Sequence, residues 1–374
     1  MVKSSLKADI KGDAGIHAGL GSARITVDLN TLEKNYRELQ RRAPTAEVAA
    51  VVKADAYGLG VGPVAGRLNQ AGCRTFFVTT MAEGLQLRQL HRAAQIYVLG
   101  QVTAEVVAVY VQHELMPVLS TLREAHYWGQ QAQFSPAALK VDTGMTRAGL
   151  AESEAAALSA SGVARETLNI TLLMSHLACA DVPTHPMNLE QIECFERVRA
   201  RWPGVPWSLA NSAGIFLGAR FHGDLVRPGI ALYGGRPFES GPNPMSEVVR
   251  VQGRVRQIRA LATAATVGYG ATHFAAAQAR IATIGMGYAD GYLRSLGDRG
   301  FAFYNGHRAP LIGRVSMDSL ALDVTATAFD SLLVGDYVDL IGGGAPLEEV
   351  AALAGTVNYE LLTNLSRRAL RVYE

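Results

Sequence analysis

The chain has 374 residues, of which 49% are hydrophobic and 18% charged, and its formal net charge at pH 7 is +2. This composition is typical of a globular protein with a large core. The near-neutral charge and the lack of any Lys/Arg-rich run argue against a nucleic-acid-binding surface. No apolar segment approaches the ~18 residues that a membrane span needs, so we expect no membrane partner.

The N-terminal residues and the cysteines indicate the compartment. Residues 1–22 contain lysines but no apolar stretch of the kind found in signal peptides. Cys73, Cys179 and Cys194 form no CxxC pair and have no histidine at ligand spacing, which argues against disulfides and structural zinc. We therefore expect a cytoplasmic protein without a bound metal, preceded by a flexible leader over residues 1–22.

Residues 23–245 show a regular alternation of two kinds of sequence segment. Short apolar, β-prone runs alternate with longer stretches rich in Ala, Leu, Arg and Glu that favour helices. Continuous apolar runs are typical of parallel strands covered on both faces. The eight predicted strands lie at residues 46–56, 76–80, 96–100, 115–120, 137–144, 170–179, 207–212 and 224–234. Their number and spacing predict an α/β fold, a (β/α)8 TIM-like barrel.

The sequence pattern changes over residues 246–374, which we predict to be a second, mainly β domain. Gly-rich turns join β-prone runs at residues 248–270, 279–292, 301–324 and 335–343. Gly, Pro and Ser cluster over residues 234–247, as is typical of a linker. The domain boundary is therefore expected near residue 245.

Several predicted barrel strands end in polar residues, among them Lys53, Lys140, His176 and Arg227. The C-terminal strand ends form the active-site mouth of such barrels, so these side chains should meet there. Most strand-end lysines simply extend the ammonium group to water. A partly desolvated amine, however, has a lowered pKa and can attack an aldehyde. Lys53 is accordingly a candidate Schiff-base lysine.

Candidate anion ligands follow the last two barrel strands. Gly229 and Ile230, just after Arg227, could offer backbone N–H groups, and glycine allows a phosphate to approach the backbone closely. Ser212 precedes a predicted helix, where it is equally suited to capping the helix and to binding phosphate. His176 is either an ordinary core histidine or a group that stacks on a ring or relays a proton.

Three further segments contain chemically useful residues. Lys140, Asp142 and Arg147 form either a surface charge cluster or a site for a small carboxylate. Tyr288 lies in a Gly-rich loop, and as a general base it would need a polar environment that depresses its pKa from ~10. Residues 313–319 are similarly turn-rich. Each of the last two segments could equally be a tight turn.

Seven motifs, in order and across both predicted domains, together resemble bacterial alanine racemase, a pyridoxal-phosphate enzyme. The resemblance extends from about residue 22 to the C-terminus. Each motif alone is moderately specific, whereas the ordered set is highly specific. The motifs are AVVKADAYG, KVDTGMTRAG, SHLACAD, ANSAG, VRPGIALYG, GYADGY and GRVSMD.

The resemblance implies pyridoxal 5'-phosphate as cofactor, alanine as substrate, and a head-to-tail homodimer in which the partner's β domain completes each site. Lys53 and Tyr288 from the opposite subunit would be the two bases that exchange the Cα proton. Lys53 would also hold the cofactor covalently. The implied phosphate ligands are Tyr57, Ser212, Tyr359 and the backbone of Gly229 and Ile230.

The remaining implied roles concern the ring and the substrate. Arg227 would hydrogen-bond the pyridine nitrogen, and His176 would pack on the ring and link Arg227 to Tyr288. An arginine keeps its proton, so the pyridine nitrogen would stay unprotonated and the electron sink would be weak. The implied substrate ligands are Arg147 and Met317, Lys140 matches a position carbamylated in many relatives, and Asp181 and Arg314 match entryway positions.

Rival functions remain open at this point. Thr146, where glycine is frequent, lies beside the expected carboxylate site, so a racemase of serine or of several amino acids is an alternative. A non-catalytic pyridoxal-phosphate carrier would resemble the barrel alone, and a decarboxylase would need a carboxylate where Arg227 lies. The sequence leaves open whether D-alanine is made for peptidoglycan or alanine is consumed in catabolism.

Overall fold

The computed structural model describes residues 22–374, so the expected leader, apart from Ser22, lies outside the described residues. The described chain forms two compact units. One unit comprises residues 28–248, and the other comprises residues 249–373 together with β1 (Ala23–Val27). The barrel unit ends at residue 248. Residues 23–27 group with the second unit because β1 pairs with a strand there.

The first unit contains a ring of short parallel strands, which confirms the predicted barrel. The strands are β2 (Glu47–Val48), β3 (Ala50–Val51), β4 (Thr75–Val78), β5 (Gln95–Val98), β6 (Met116–Leu119), β7 (Pro136–Lys140), β8 (Asn169–Met174), β9 (Trp207–Ser208) and β10 (Leu225–Val226). β3 to β9 pair in chain order, and β10 pairs in parallel with β2. Backbone bonds from Asp224 N to Trp207 O and from Ala49 N to Val226 O, at 2.9 and 3.0 Å, close the ring.

Apolar side chains pack inside this ring, including Phe77, Tyr97, Met116 and Leu172. Helices follow most strands, as the alternation of β-prone and helix-favouring segments in the sequence predicts. They are α1 (Leu29–Arg42), α2 (Lys53–Tyr57), α3 (Val61–Gln70), α4 (Met81–Leu90), α5 (Val107–Gln112), α6 (Leu122–Gln131), α7 (Glu152–Ala160), α8 (Gly162–Glu166) and α9 (Met187–Arg199). Threonine caps begin α4 and α6, where Thr80 and Thr121 accept the backbone N–H of the third helical residue.

The second unit is mainly β, as predicted. Its strands beyond β1 are β11 (Val249–Ala260), β12 (Ala265–Val267), β13 (His273–Ala275), β14 (Arg280–Gly285), β15 (Phe301–Tyr304), β16 (His307–Ile312), β17 (Leu320–Asp323), β18 (Tyr337–Ile341) and β19 (Leu370–Tyr373). The sheet order is β14-β17-β16-β15-β18-β11-β1-β19, and β14 also pairs with β11, so six strands form a closed ring. Two helices follow β18, namely α10 (Leu347–Ala354) and α11 (Asn358–Thr363).

Among residues 22–374, no helix combines the length and the apolar character needed to cross a membrane.

Candidate active site

Lys53 is the first residue of α2, whose backbone is a left-handed turn and not a regular α-helix. The strand that the sequence extended to residue 56 ends at Val51, and residues 54–57 all have φ between 54° and 56°. Gly58 continues the turn with φ 80°. Left-handed backbone costs about 1–2 kcal/mol for each residue other than glycine. Four such residues in succession must therefore be held by surrounding contacts, as is typical of functional sites.

Hydrogen bonds hold both ends of this turn. The Ala54 N–H donates to Glu83 Oε1 at 2.7 Å, and the Val61 N–H donates to Asp55 Oδ1 at 2.8 Å. The Gly60 N–H donates to the Asp55 carbonyl, also at 2.8 Å. Glu83 was not among the predicted site residues, although the Thr-x-x-Glu pattern at the start of α4 is a recognisable capping signal.

The turn directs Tyr57 toward the loop after β10. The Tyr57 ring lies 4.7 Å from the ring of Tyr233, centroid to centroid, and the Tyr233 hydroxyl donates to the Val51 carbonyl at 2.8 Å. A Cβ at Gly229 would collide with the Tyr57 hydroxyl. Glycine at position 229 is therefore required for the close approach of this loop to Tyr57.

Ser212 lies beside the same loop after β10. Its hydroxyl oxygen accepts the Gly229 N–H at 2.9 Å and the Ala231 N–H at 3.3 Å. Backbone N–H groups that converge on one point form an anion site. The predicted ligand Ile230 is fully buried between these two donors, and Ala231 is a donor that was not among the predicted ligands.

Arg227 is a buried cation without a carboxylate partner among its hydrogen bonds. Its guanidinium donates to the Ser208 hydroxyl, to the Ser175 carbonyl at 2.5 Å and toward His176 Nδ1 at 3.4 Å. Burial lowers the pKa of Arg227 to about 9, so the side chain remains charged at neutral pH. Burial and the neighbouring Arg227 charge hold the pKa of His176 well below its usual value. A neutral His176 can therefore accept the Arg227 hydrogen bond.

Lys53, Lys140 and Arg147 add three cations to this site. Burial, followed by the charges of Arg147 and Arg227, lowers the pKa of Lys140 to about 8. Burial and Arg147 also lower the pKa of Lys53, whereas Glu83 acts in the opposite direction. Four neighbouring cations create a strong preference for anionic ligands.

Asp142 holds the loop that contains Arg147. Asp142 Oδ1 accepts the N–H groups of Gly144 and Thr146 at 2.9 and 3.1 Å, and Oδ2 accepts the Arg147 N–H at 3.1 Å. These bonds occupy the carboxylate and fix the backbone that presents Arg147. Thr146, where the sequence departs from the family pattern, has φ 55°.

In the second unit, the structure brings the Tyr288 and Met317 segments together. The Tyr288 N–H donates to the Ser316 carbonyl and the Ala289 N–H to the Met317 carbonyl, each at 3.0 Å. A Cβ at Gly287 would collide with the Met317 backbone, so the two segments require glycine there. The Tyr288 and Met317 side chains are 43% and 53% exposed.

An ion-pair network that sequence reasoning missed supports these two segments. Arg368 donates to Asp290 at 2.8 Å and to Asp318 at 2.7 Å, and Asp290 also accepts the Gly287 N–H at 2.9 Å. Asp290 follows Tyr288 and Asp318 follows Met317, so Arg368 ties both loops to the β19 end of the chain.

The other predicted residues divide between the units. Tyr359 lies in α11 of the second unit and is 43% exposed, whereas the other predicted phosphate ligands lie in the barrel unit. Arg314 is an exposed residue of the second unit beside Gly270. Asp181 is an exposed residue of the barrel unit, and its carbonyl accepts the Glu239 N–H at 3.1 Å.

The barrel residues fit pyridoxal 5'-phosphate. The Ser212, Gly229 and Tyr57 cradle suits the phosphate group because it combines convergent donors with close backbone approach. Lys53 supplies an amine with a lowered pKa for the aldehyde, and Arg227 supplies a buried donor for a ring nitrogen. The three groups match the three functional ends of this cofactor.

Comparisons with known proteins agree with this fit. Residues 27–237 match the model of the alanine racemase N-terminal domain, and residues 248–373 match that of the C-terminal domain. A catabolic alanine racemase of Agrobacterium fabrum is 45% identical over 361 residues, which cover 95% of this chain and 93% of the relative. A biosynthetic alanine racemase of the same organism is 42% identical, with 94% and 93% covered.

Solved structures show the same similarity. The crystal structure of alanine racemase from Bartonella henselae with covalently bound pyridoxal phosphate superposes with a TM-score of 0.89 at 38% identity, covering 94% of this chain and 99% of that chain. The biosynthetic enzyme of Pseudomonas aeruginosa gives a TM-score of 0.85 at 33% identity, with 95% and 100% covered. With both of its units matched and nearly its whole length covered, the chain belongs to the alanine racemase family.

Proposed function

We propose that the chain interconverts L-alanine and D-alanine with pyridoxal 5'-phosphate, using Lys53 and Tyr288 as the two bases. The observation that supports this most directly is the Lys53 amine, whose pKa is lowered, among cations and backbone donors that fit the cofactor. The cofactor, when bound, supplies an aldehyde for the amine and withdraws electrons from Cα, which acidifies the Cα–H bond.

Racemisation needs proton carriers on both faces of Cα. Lys53 takes the proton on one face, and its lowered pKa leaves more of the amine neutral at physiological pH. Tyr288 serves the opposite face and returns a proton there. Arg147 and the Met317 N–H hold the substrate carboxylate, which keeps Cα between the two bases.

Arg227 and His176 set the electronic character of the site. Arg227 remains protonated and would donate to the ring nitrogen of the bound cofactor, so that nitrogen would receive no proton. A cofactor held in this way would be a weak electron sink, which would favour return of the proton over side reactions such as transamination. His176, held neutral by burial and by Arg227, would pack on the ring and link Arg227 toward Tyr288.

The phosphate of the cofactor would be held by Tyr57, Ser212, Tyr359 and the backbone of Gly229 and Ile230. Convergence of the Gly229 and Ala231 N–H groups on the Ser212 hydroxyl supports this placement and adds Ala231 as a donor. Asp181 and Arg314 line the substrate entryway, and their exposure is compatible with this role.

We assign Lys140 as a carbamylated lysine. Its pKa of about 8 leaves a larger share of the amine neutral near neutral pH than an ordinary lysine has. The amine nitrogen attacks CO2, a C–N bond forms and the displaced proton leaves to water. The carbamate anion then pairs with Arg147, which replaces a repulsion between two cations with an attraction.

We propose a cytoplasmic homodimer with composite sites. Support for the dimer comes from the family resemblance and from the exposure of Tyr288 and Met317, two residues with proposed roles at the substrate. In the described chain, Cys73, Cys179 and Cys194 are free thiols, which suits a reducing compartment. Catabolic and biosynthetic relatives match this chain almost equally well, so either metabolic role is compatible with the similarity.

Mixing two inactive variants tests the bases and the composite site together. We expect Lys53→Ala to lose the visible absorbance of the lysine-bound cofactor and all racemisation, and Tyr288→Phe to slow proton removal from one enantiomer more than from the other. If the partner supplies Tyr288, dissociating and reassociating the two variants together restores about a quarter of wild-type activity, because half the dimers are mixed and each contains one intact site.

The controls separate the competing models. Each variant reassociated with itself must stay inactive. No recovery in the mixture contradicts composite sites, and racemisation by Lys53→Ala contradicts the assignment of the base. Faster turnover of L-serine than of L-alanine by the wild-type protein would replace the alanine assignment.

A further inference from the structure

Glu83 makes an unusual set of contacts beside the Lys53 turn. Its Oε2 accepts the N–H groups of Thr79 and Thr80 at 2.8 and 3.0 Å, and its own N–H donates to Thr80 Oγ1 at 3.2 Å. This arrangement is a capping box at the start of α4. Its second oxygen, Oε1, accepts the Ala54 N–H at 2.7 Å, across 29 residues of sequence. A capping box does not need this fourth bond.

The Ala54 N–H is a decisive group for the geometry of Lys53. It belongs to the peptide that joins Lys53 to Ala54, and Ala54 is the first of four non-glycine residues in the left-handed region. Without an acceptor at that place, the strained turn could relax toward ordinary backbone. The bond to Glu83 therefore fixes the peptide plane from which the Lys53 side chain extends.

We propose that Glu83 is a positioning residue, whose carboxylate clamps the left-handed turn so that the Lys53 amine is presented to the cofactor and to Cα. The proposal rests on the proposed role of Lys53. The carboxylate also favours the protonated form of Lys53, against the effect of burial, so its charge and its hydrogen bonds act on the same residue. Charge-assisted bonds of this kind are stronger than neutral ones.

The chain contains a matched copy of this clamp away from the proposed site residues. Glu124 is the third residue of α6 after the cap Thr121, as Glu83 is the third residue of α4 after the cap Thr80. Its Oε2 accepts the Ser120 N–H at 2.7 Å, and its Oε1 reaches back to the Val102 N–H at 3.1 Å. Each glutamate thus ties its own loop to the loop after the preceding strand. Only the Glu83 clamp ends on the Lys53 turn.

The test compares Glu83→Gln with Glu124→Gln. A glutamine offers one oxygen, and its amide NH2 group would face backbone donors, so one side of each clamp is lost. For Glu83→Gln we expect faster amide hydrogen exchange over residues 52–60 and weaker binding of pyridoxal phosphate, by about tenfold or more. The kcat/KM for alanine should fall by a similar factor. Glu124→Gln should leave exchange over residues 52–60 and cofactor affinity unchanged.

Relief of backbone strain supplies a second, independent readout. Glycine accepts positive φ at no steric cost, so Ala56→Gly should stabilise the left-handed turn directly. The double variant Glu83→Gln with Ala56→Gly should therefore recover part of the lost cofactor affinity. A general loss of α4 capping would show no such rescue. If Glu83→Gln does not fold, Glu83→Asp keeps the charge but shortens the reach, and should show the same changes.

Unchanged exchange over residues 52–60 in Glu83→Gln would overturn the clamp. Faster exchange with normal cofactor absorbance and normal kcat/KM would overturn the positioning role. A separate measurement tests the role of Lys53 itself. If Lys53→Ala kept the visible absorbance of the lysine-bound cofactor, the proposed role of Lys53 would be wrong.

Discussion

At the scale of single residues, Lys140 shows how the barrel tunes an amine. Arg147 and Arg227 lie close enough to add to the effect of burial, and the pKa of Lys140 falls to about 8. Between about pH 8 and the ordinary pKa of lysine, the Lys140 amine keeps its proton in the unfolded chain and has lost it in the folded chain. Stability attributable to Lys140 therefore rises with pH across this window and is constant below it.

The pKa of Lys140 predicts a pH-dependent reaction with CO2. Only the neutral amine reacts, so at a fixed CO2 pressure the carbamate should be several-fold more abundant at about pH 8.5 than at about pH 6.5. Isotope-labelled bicarbonate and NMR of the intact protein measure the carbamate signal. Lys140→Ala should abolish this signal, whereas replacement of the exposed Lys34 by alanine should preserve it. A signal that survives in Lys140→Ala would refute the assignment.

At the scale of elements, loops after barrel strands are held by carboxylates that accept backbone N–H groups. Asp142 binds three such groups in the loop after β7, and Glu83 binds three in and around the loops after β3 and β4. The hydrogen bonds of both acids thus go to backbone donors, and the acids act on the more numerous site cations through their charge alone. The site keeps its positive charge for anionic ligands.

Asp142→Asn tests the Arg147 loop. The amide NH2 group replaces an oxygen that accepts a backbone N–H, which should loosen the loop and weaken the proposed binding of the substrate carboxylate by Arg147. A lost charged hydrogen bond corresponds to about a 10–100-fold change. Because the proposed contact with Arg147 would persist through the reaction, the change should appear mainly in KM for alanine.

Asp323→Asn is the matched control, since Asp323 accepts a backbone N–H in a turn of the other unit. It should leave KM within about twofold of the wild-type value, in line with surface substitutions elsewhere in proteins. Steady-state kinetics with L-alanine decide the matter. A fall in kcat with an unchanged KM in Asp142→Asn would mean that the loop acts on the chemical step and not on binding.

At the scale of the whole molecule, the chain crosses from one unit to the other early. β1 pairs with β11 in antiparallel fashion and with β19 in parallel fashion, so both ends of the chain meet in the β sheet. Residues 28–248 then form the barrel before the chain returns. The β unit is thus discontinuous in sequence.

Ile25→Ala should therefore weaken the β unit. Ile25 is fully buried in β1 opposite Val251, and removing a buried side chain of this size costs about 2–5 kcal/mol. Hydrogen exchange should rise in β11 and β19 and stay near wild-type values in the barrel strands. Leu39→Ala, at a fully buried position of α1, should give the opposite pattern. Increased exchange confined to the barrel strands in Ile25→Ala would contradict this division of the chain.

The sequence by itself determined the two-part architecture, because the alternation of apolar and helical runs is a local property that survives in any context. It also determined the family, because seven ordered motifs retain their spacing. Only the tertiary structure showed that the strand before Lys53 stops at Val51 and that the chain continues as a left-handed turn of four non-glycine residues, which local propensity disfavours. The contact that stabilises this turn comes from Glu83, 29 residues away, and β1 finds its partner in β11 across most of the chain. Hydrogen bonds between distant segments leave no local pattern in a sequence, so the fold alone could decide which residues hold the turn after Lys53 in place.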